Sequence, residues 1–100
     1  MPQVVVSLRA NLDLFRLHAF LADKNRQTAA RAIKTIRAKL RLLRRHPSLG
    51  RLDADQPDDR ELFIKFGAGG YMARYNYDGT MVIVLSIRHA YEAGYHGDAD

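Results

Sequence analysis

The hydrophobic pattern changes period along the chain, and the changes divide it into elements. Residues 3–8 (QVVVSL) are short and β-branched, and predict a first strand. From residue 10 the apolar spacing becomes helical. A first helix is predicted over residues 10–24, with Asn11 as a candidate N-cap whose side-chain oxygen accepts a free first-turn amide. At about 100° per residue its apolar positions form two groups. Leu14, Leu17, Phe20 and Leu21 lie on one side; Leu12, Phe15, Ala19 and Ala22 lie on the other. A helix apolar on two sides needs cover on two sides. Asn25 is the candidate N-cap of a second helix over residues 26–46, whose narrow stripe is Ala29, Ile33, Ile36, Leu40 and Leu43. Lys34, Arg37, Arg41, Arg44 and Arg45 cluster on another face. The join between the helices is so short that they must form an antiparallel hairpin. Pro47 ends the second helix, because the residue before proline disfavours helical geometry.

Residues 48–59 form the one long loop, with Gly50 and Pro57. The period then falls to two. ELFIKF (61–66), YMARYNY (71–77) and MVIVLSIRH (81–89) read as three strands joined by GAGG and by Asp78-Gly79, the strongest hairpin signal in the chain. A two-residue Asp78-Gly79 loop pairs Tyr75 with Val82 and Ala73 with Val84. A four-residue GAGG loop pairs Phe66 with Tyr71 and Ile64 with Ala73. These registers put Leu62, Ile64, Phe66, Tyr71, Ala73, Tyr75, Val82 and Val84 on one face, against the helices. The other face collects Phe63, Lys65, Met72, Arg74, Ile83, Leu85, Ile87 and His89, an apolar floor with a basic rim. The expected fold is α+β in one domain over residues 1–100. An N-terminal strand and an antiparallel helix hairpin pack on one face of a C-terminal antiparallel meander, in the order β-α-α-β-β-β.

Charge sharpens this picture. The net charge is +5, but residues 1–51 carry twelve Lys/Arg against two acids, and residues 52–100 carry four against nine. Residues 24–51 hold ten cations and no acid, a block that points to an anionic partner, nucleic acid or acidic protein. Other chemistry is excluded. With no cysteine there is no disulfide, no thiolate catalysis and no sulfur-bound zinc. His18, His46, His89 and His96 are scattered without i, i+4 spacing, so no metal site is expected, and the glycines of GAGG read as a turn. No cofactor is expected. The longest apolar run, residues 81–85, is far short of the ~20 a membrane span needs, and the N-terminus lacks a signal pattern. The expected setting is cytoplasmic, with no membrane contact.

Three strings sit at the joints of this order: HPSLGR (46–51), RELFIKFGAGGYMARY (60–75) and VIVLSIRHAYEAGY (82–95). Taken as an ordered set at this spacing, they resemble the RelE/ParE superfamily of toxins from type II toxin–antitoxin systems, in particular the ParE-like plasmid-stabilisation branch. The resemblance covers roughly residues 4–95. It implies a cognate antitoxin as partner and a toxin–antitoxin hetero-oligomer. It also implies one of two targets: DNA gyrase, poisoned on broken DNA, or the ribosome, where RelE-like members cleave mRNA.

The cleaving branch carries cations on the strand before the glycine turn, an arginine after the next tyrosine, then a basic or histidine position and a C-terminal tyrosine. Lys65, Arg74, His89 and Tyr95 would serve as that set here. Phe63 and Met72 stand where two further cations belong, and loss of one such contact costs ~2.7–4 kcal/mol of transition-state stabilisation. The resemblance therefore implies a gyrase inhibitor, with mRNA cleavage as the alternative. Ala90-Tyr91 departs from the Gln/His-Arg pair of the ParE-like pattern. Arg88, His89, Tyr91 and Tyr95 are the expected target-binding residues. Phe15, Lys34, Arg37, Arg41, Phe63, Met72 and Arg74 are the expected antitoxin-binding residues. Arg60 is expected to meet a phosphate or partner, or to pair with Asp58, Asp59 or Glu92. A base-reading nucleic-acid domain built on the second helix is a third reading. Its cations have only Ile, Leu, Ala and Thr35 as neighbours, which reads poorly for that role.

Overall fold

The computed structural model describes residues 1–90. Its elements are β1 (Gln3–Val6), α1 (Leu8–Ala22), α2 (Arg26–Arg41), a 3₁₀ turn (Leu42–Arg44), β2 (Arg51–Leu52), β3 (Asp59–Phe66), β4 (Gly69–Tyr77) and β5 (Met81–His89). One five-stranded sheet runs in the order β1-β5-β4-β3-β2. β1 lies parallel to β5, and the other pairs are antiparallel. The helix hairpin covers one face. This is the expected α+β order, with the two-residue β2 added inside the long loop.

The first helix begins earlier than its polarity indicates. Ser7, in extended geometry, caps α1 by accepting from the Ala10 amide at 3.0 Å. Asn11 sits inside the helix and instead donates to the Val6 and Ser7 carbonyls. Asn25 caps α2 as expected, accepting from Thr28. The core joins Ala10, Leu14, Ala32, Ile36, Leu40 and Leu43 to Leu62, Ile64, Tyr71, Ala73, Tyr75, Val82, Val84 and Ile87. Leu17 and Leu21 pack at its edge, whereas Phe20 faces solvent. There Lys24 Nζ lies over its ring. The second apolar side of α1 is open: Leu8 is 77% exposed, Phe15 73% and Leu12 44%.

Both hairpins differ in register from expectation, the first closing two residues tighter and the second two residues wider. Gly67, at positive φ, and Ala68 make a two-residue loop, so Ile64 faces Tyr71 and Leu62 faces Ala73. The next turn closes over Gly79 and Thr80, so Tyr77 faces Val82 and Tyr75 faces Val84. Each is a two-residue slip, which keeps every side chain on its predicted face. One irregularity does not. Between Arg74 and Tyr75 the register shifts: Arg74 faces Ser86 while Tyr75 faces Val84, leaving Leu85 as an extra residue. This β-bulge reverses the alternation beyond it. Ile87 and His89, expected on the open face, lie on the helix side opposite Ala73 and Tyr71. Ser86 and Arg88 take the open face.

Two polar devices hold the periphery. Tyr75 is fully buried. Its hydroxyl donates to the Pro47 carbonyl at 2.7 Å and accepts from the Gly50 amide at 2.8 Å. Burial pushes the phenol pKa up, and the Gly50 bond and the Arg60 charge pull part of the way back. Arg60 Nη1 donates to the carbonyls of Gly50 (2.8 Å) and Ser48 (3.2 Å) rather than pairing with Asp58 or Asp59; Glu92, the third acid expected, lies outside the described residues. A Cβ on Gly50 would lie 2.8 Å from the Tyr75 ring and 2.9 Å from the Glu61 carbonyl, so only glycine fits. The HPSLGR string is thus a loop tied down by β3 and β4. The second device is Asp13, 8% exposed on α1. Its Oδ2 accepts from the Ile87 amide at 2.9 Å, while Arg9 and Arg16 lie 3.4 and 3.8 Å from Oδ1.

Two stability outcomes follow from these contacts. Tyr75→Phe leaves the buried Gly50 amide without its acceptor and should cost about 1–3 kcal/mol in urea unfolding; Gly50→Ala, which overpacks the same spot, should cost a similar amount. Asp13→Ala should destabilise by about 1–3 kcal/mol and speed hydrogen exchange at the Ile87 amide. Unchanged exchange there would show that the carboxylate does not hold β5.

Candidate functional site on the two faces of the sheet

The open face carries an acid-ringed arginine. On β3, the i, i+2 spacing of Asp59, Glu61, Phe63 and Lys65 puts all four on this face. On β4 the same period aligns Gly70, Met72, Arg74 and Asn76 beside them. Phe63 spreads its ring over Gly70, where a Cβ would stand 2.7 Å from ring carbon Cζ. Phe63 remains 43% exposed, whereas Met72 is buried at 6%.

Arg74 reaches three carboxylates. Its Nη2 pairs with Asp53 and lies 3.2 Å from Asp59 Oδ2, and its Nη1 lies 3.5 Å from Glu61 Oε2. Burial alone would lower the arginine pKa. The Asp53 hydrogen bond and the charges of Asp53, Asp59 and Glu61 outweigh it, and the net shift is upward. Asp53 is held below the ordinary carboxylate range, first by the Asp55 amide at 2.8 Å and then by Arg74. Arg88 Nη2 lies 3.7 Å from Glu61 Oε2 and joins the network. This face is therefore charge-balanced rather than basic-rimmed: three carboxylates gather around two guanidiniums, with Lys65 on the same face. Asp53 arrives from the loop next to β2, a placement that strand periodicity cannot reveal. Asp59 was legible only if β3 was extended two residues upstream.

The helix side holds a different constellation. Beyond Val84, β5 has no strand outside it among the described residues, and α1 stands off from its end. The resulting cleft, about 880 Å³, is lined by Arg9, Asp13, Arg16, Phe20, Tyr71 and His89 among others. His89 stacks edge-on against Tyr71 with ring centroids 5.7 Å apart. Burial pushes the Tyr71 phenol up. Arg31 lies over Phe66 at the cleft's border, 5.7 Å from the ring centre.

The sheet separates the residues named for mRNA cleavage. Lys65 and Arg74 are on the open face, and His89 is on the other. Tyr95, like Tyr91, lies outside the described residues. Of the expected partner-binding residues, Phe63, Met72 and Arg74 share the open face, Phe15 is on the bare side of α1, and Lys34, Arg37 and Arg41 are exposed on α2. Three separate surfaces result. Among the described residues no helix is long and apolar enough to cross a membrane, and no group of three His, Cys, Asp or Glu is placed to hold a metal ion.

Comparison with known proteins agrees with the architecture. Residues 4–94 match the family model described as the ParE toxin of the type II toxin–antitoxin system parDE. Toxin RelE3 of Caulobacter vibrioides is 35% identical over 92 residues, covering 92% of this chain and 98% of the relative. Toxin RelE1 of the same organism is 38% identical over 89 residues, covering 89% and 94%. A solved chain of the chromosomal ParDE toxin–antitoxin system from P. aeruginosa superposes with a TM-score of 0.76 at 18% identity, over 89% of this chain and 96% of that one, a likeness of fold. With a family match across nearly the whole chain, full-length relatives at this identity, and the strand–hairpin–meander fold already described, the chain belongs to the ParE toxin family of type II toxin–antitoxin systems, within the RelE/ParE superfamily.

Proposed function

We propose that this toxin acts by poisoning DNA gyrase rather than by cutting mRNA, and that a cognate antitoxin neutralises it. The observation that carries the reading is the state of the open face. A phosphorane needs uncompensated cations aimed at it. Here Arg74 is enclosed by Asp53, Asp59 and Glu61, and apolar Phe63 and Met72 flank it. Against Arg74, Arg88 and Lys65, the three carboxylates leave the face without net positive charge to draw in a phosphodiester. His89, the acid–base candidate, is across the sheet from Lys65. The names of the two Caulobacter relatives favour the ribosomal alternative, in which Lys65, Arg74, His89 and Tyr95 would act together. The separation of His89 from Lys65 and Arg74 weighs against it.

On this reading the target-facing segment starts at the end of β5, with Arg88 and His89 and continuing to Tyr91 and Tyr95. Aromatic and arginine side chains are the usual anchors of protein interfaces. The antitoxin covers the bare side of α1, where Leu8, Leu12 and Phe15 form an exposed stripe near the cations Arg9 and Arg16. An acidic segment with apolar anchors suits that surface.

Purified toxin should inhibit ATP-dependent supercoiling of relaxed plasmid by gyrase at micromolar concentration, and should leave mRNA uncut on programmed ribosomes. Cleavage at the ribosomal A site, with supercoiling unaffected, would reverse the assignment. Arg88→Ala with Tyr91→Ala should relieve toxicity in cells and keep antitoxin binding. Phe15→Glu should do the opposite, weakening the antitoxin complex tenfold or more, since a central aromatic anchor is worth ~2 kcal/mol.

A further inference from the structure

The outer face of α2, where the sequence reading set Lys34, Arg37 and Arg41 against the antitoxin, carries a row of cations that the fold does not use and that lies apart from the α1 surface given to the antitoxin above. At about 100° per residue, Arg26, Lys34, Arg37 and Arg41 fall within roughly 80° of one another. The buried side, Ala29, Ala32, Ile36 and Leu40, is centred about 120° away around the helix. Arg44 and Arg45 prolong the row into the 3₁₀ turn. All six are exposed. Among the described residues the ion pairs involve Arg9, Arg16, Arg74 and Arg88, and none of these six. Residues 24–51 contain no acid that could neutralise the row from within. Three of its members, Arg37, Arg41 and Arg44, ring a depression of about 180 Å³ floored by Val4, Val6 and Leu40.

The chemistry of the spacers selects the partner. Between the cations the solvent side of α2 offers Gln27, Ala30 and Ala38. A protein interface draws its energy from large apolar or aromatic anchors in its centre; the exposed apolar side chain here, Leu42, sits at the end of the row in the 3₁₀ turn, in contrast to the Leu8, Leu12 and Phe15 stripe of α1. A phosphodiester backbone asks only for charge. Arg26 to Arg41 spans about 22 Å along the axis, long enough for its four cations each to reach a phosphate of a duplex backbone. The absence of base-reading side chains, which counts against a sequence-specific domain, is what a backbone contact leaves unneeded.

We propose that the outer face of α2 binds the phosphate backbone of double-stranded DNA without sequence preference. This deepens the gyrase reading, on which its location in the cell rests: the toxin meets a topoisomerase that is itself on DNA. The face is then distinct from the antitoxin surface on α1.

The test is fluorescence anisotropy with the full chain, free of antitoxin and gyrase, and an end-labelled random 30-base-pair duplex. With about four phosphates contacted, log K should fall against log salt with a slope of about −3.6. Lys34→Gln, Arg37→Gln and Arg41→Gln together should flatten the slope by about 2.7 and cut low-salt affinity about tenfold or more, with an unchanged unfolding midpoint. Lys34→Arg with Arg37→Lys and Arg41→Lys should bind as the parent does. Arg9→Gln with Arg16→Gln should leave the slope in place.

Absence of salt-dependent binding, or binding indifferent to the triple glutamine variant, overturns the proposal. So does a triple variant that loses the antitoxin but keeps DNA, which would make the row a peptide surface. Tighter binding to a labelled single-stranded RNA than to the duplex overturns it as well. Because gyrase is absent from the assay, a failure here is distinguishable from a failure of the gyrase reading, which the supercoiling measurement decides.

Discussion

Leu85 is one residue more than β4 can match, and the placement of functional groups depends on it. A strand presents alternate residues to opposite faces, so one unmatched residue exchanges the faces of everything beyond it. Without the bulge Ile87 would leave the core, and His89 would stand beside Lys65 and Arg74. With it, Ile87 packs against the helices, His89 meets Tyr71 in the α1 cleft, and Arg88 comes within reach of Glu61. The bulged segment is anchored from α1. The Ser7 hydroxyl donates to the Leu85 carbonyl at 3.2 Å, and Asp13 takes the Ile87 amide. The start of one helix and the end of the last strand are therefore a single mechanical unit.

The loop before β2 shows how a short family string becomes geometry. In HPSLGR the proline contributes a carbonyl to Tyr75, the glycine contributes an amide to Tyr75 and a carbonyl to Arg60, and the serine contributes a second carbonyl to Arg60. Apart from proline's part in ending the helix, the side chains do little; the backbone is the ligand. The receptor is built by two neighbouring residues of paired strands, since Arg60 faces Tyr75 across β3 and β4. Directly after the latch, β2 leads to Asp53, which pairs with Arg74, so the acid ring on one face follows a latch on the other.

The fold was readable because its signals are local. Asn25, Pro47 and Asp78-Gly79 mark the boundaries of elements, and the change of period marks their type. Both hairpin registers were misjudged by two residues, yet parity protected the face assignments as far as Val84. The bulge left no mark: Leu85 is neither a glycine nor a polar residue, and it sits inside a continuous apolar run. The cap of α1 was ambiguous because Ser7 and Asn11 both qualify, and only extended geometry at Ser7 decides between them. The candidate site was half legible. Arg74, Phe63, Met72 and Lys65 follow from alternation. Asp53 is brought in by a loop, and Asp13 reads as one more charge on a helix although it is a buried acceptor.

The capping of β5 by Asp13 and Ser7 also decides how the sheet can be lengthened. An unpaired strand edge invites another chain to dock along it. On the β1 side that invitation is withdrawn beyond Val84, because a carboxylate and a hydroxyl already occupy the hydrogen-bonding groups of Leu85 and Ile87. On the opposite side β2 pairs only with Arg60 and Glu61 of β3, and the strand beyond them is guarded by the charge of exposed Lys65. The sheet is thus asymmetric: beyond β1 the end of β5 is closed by its own helix, and at the other margin β3 is open to a strand that can tolerate a lysine at its centre.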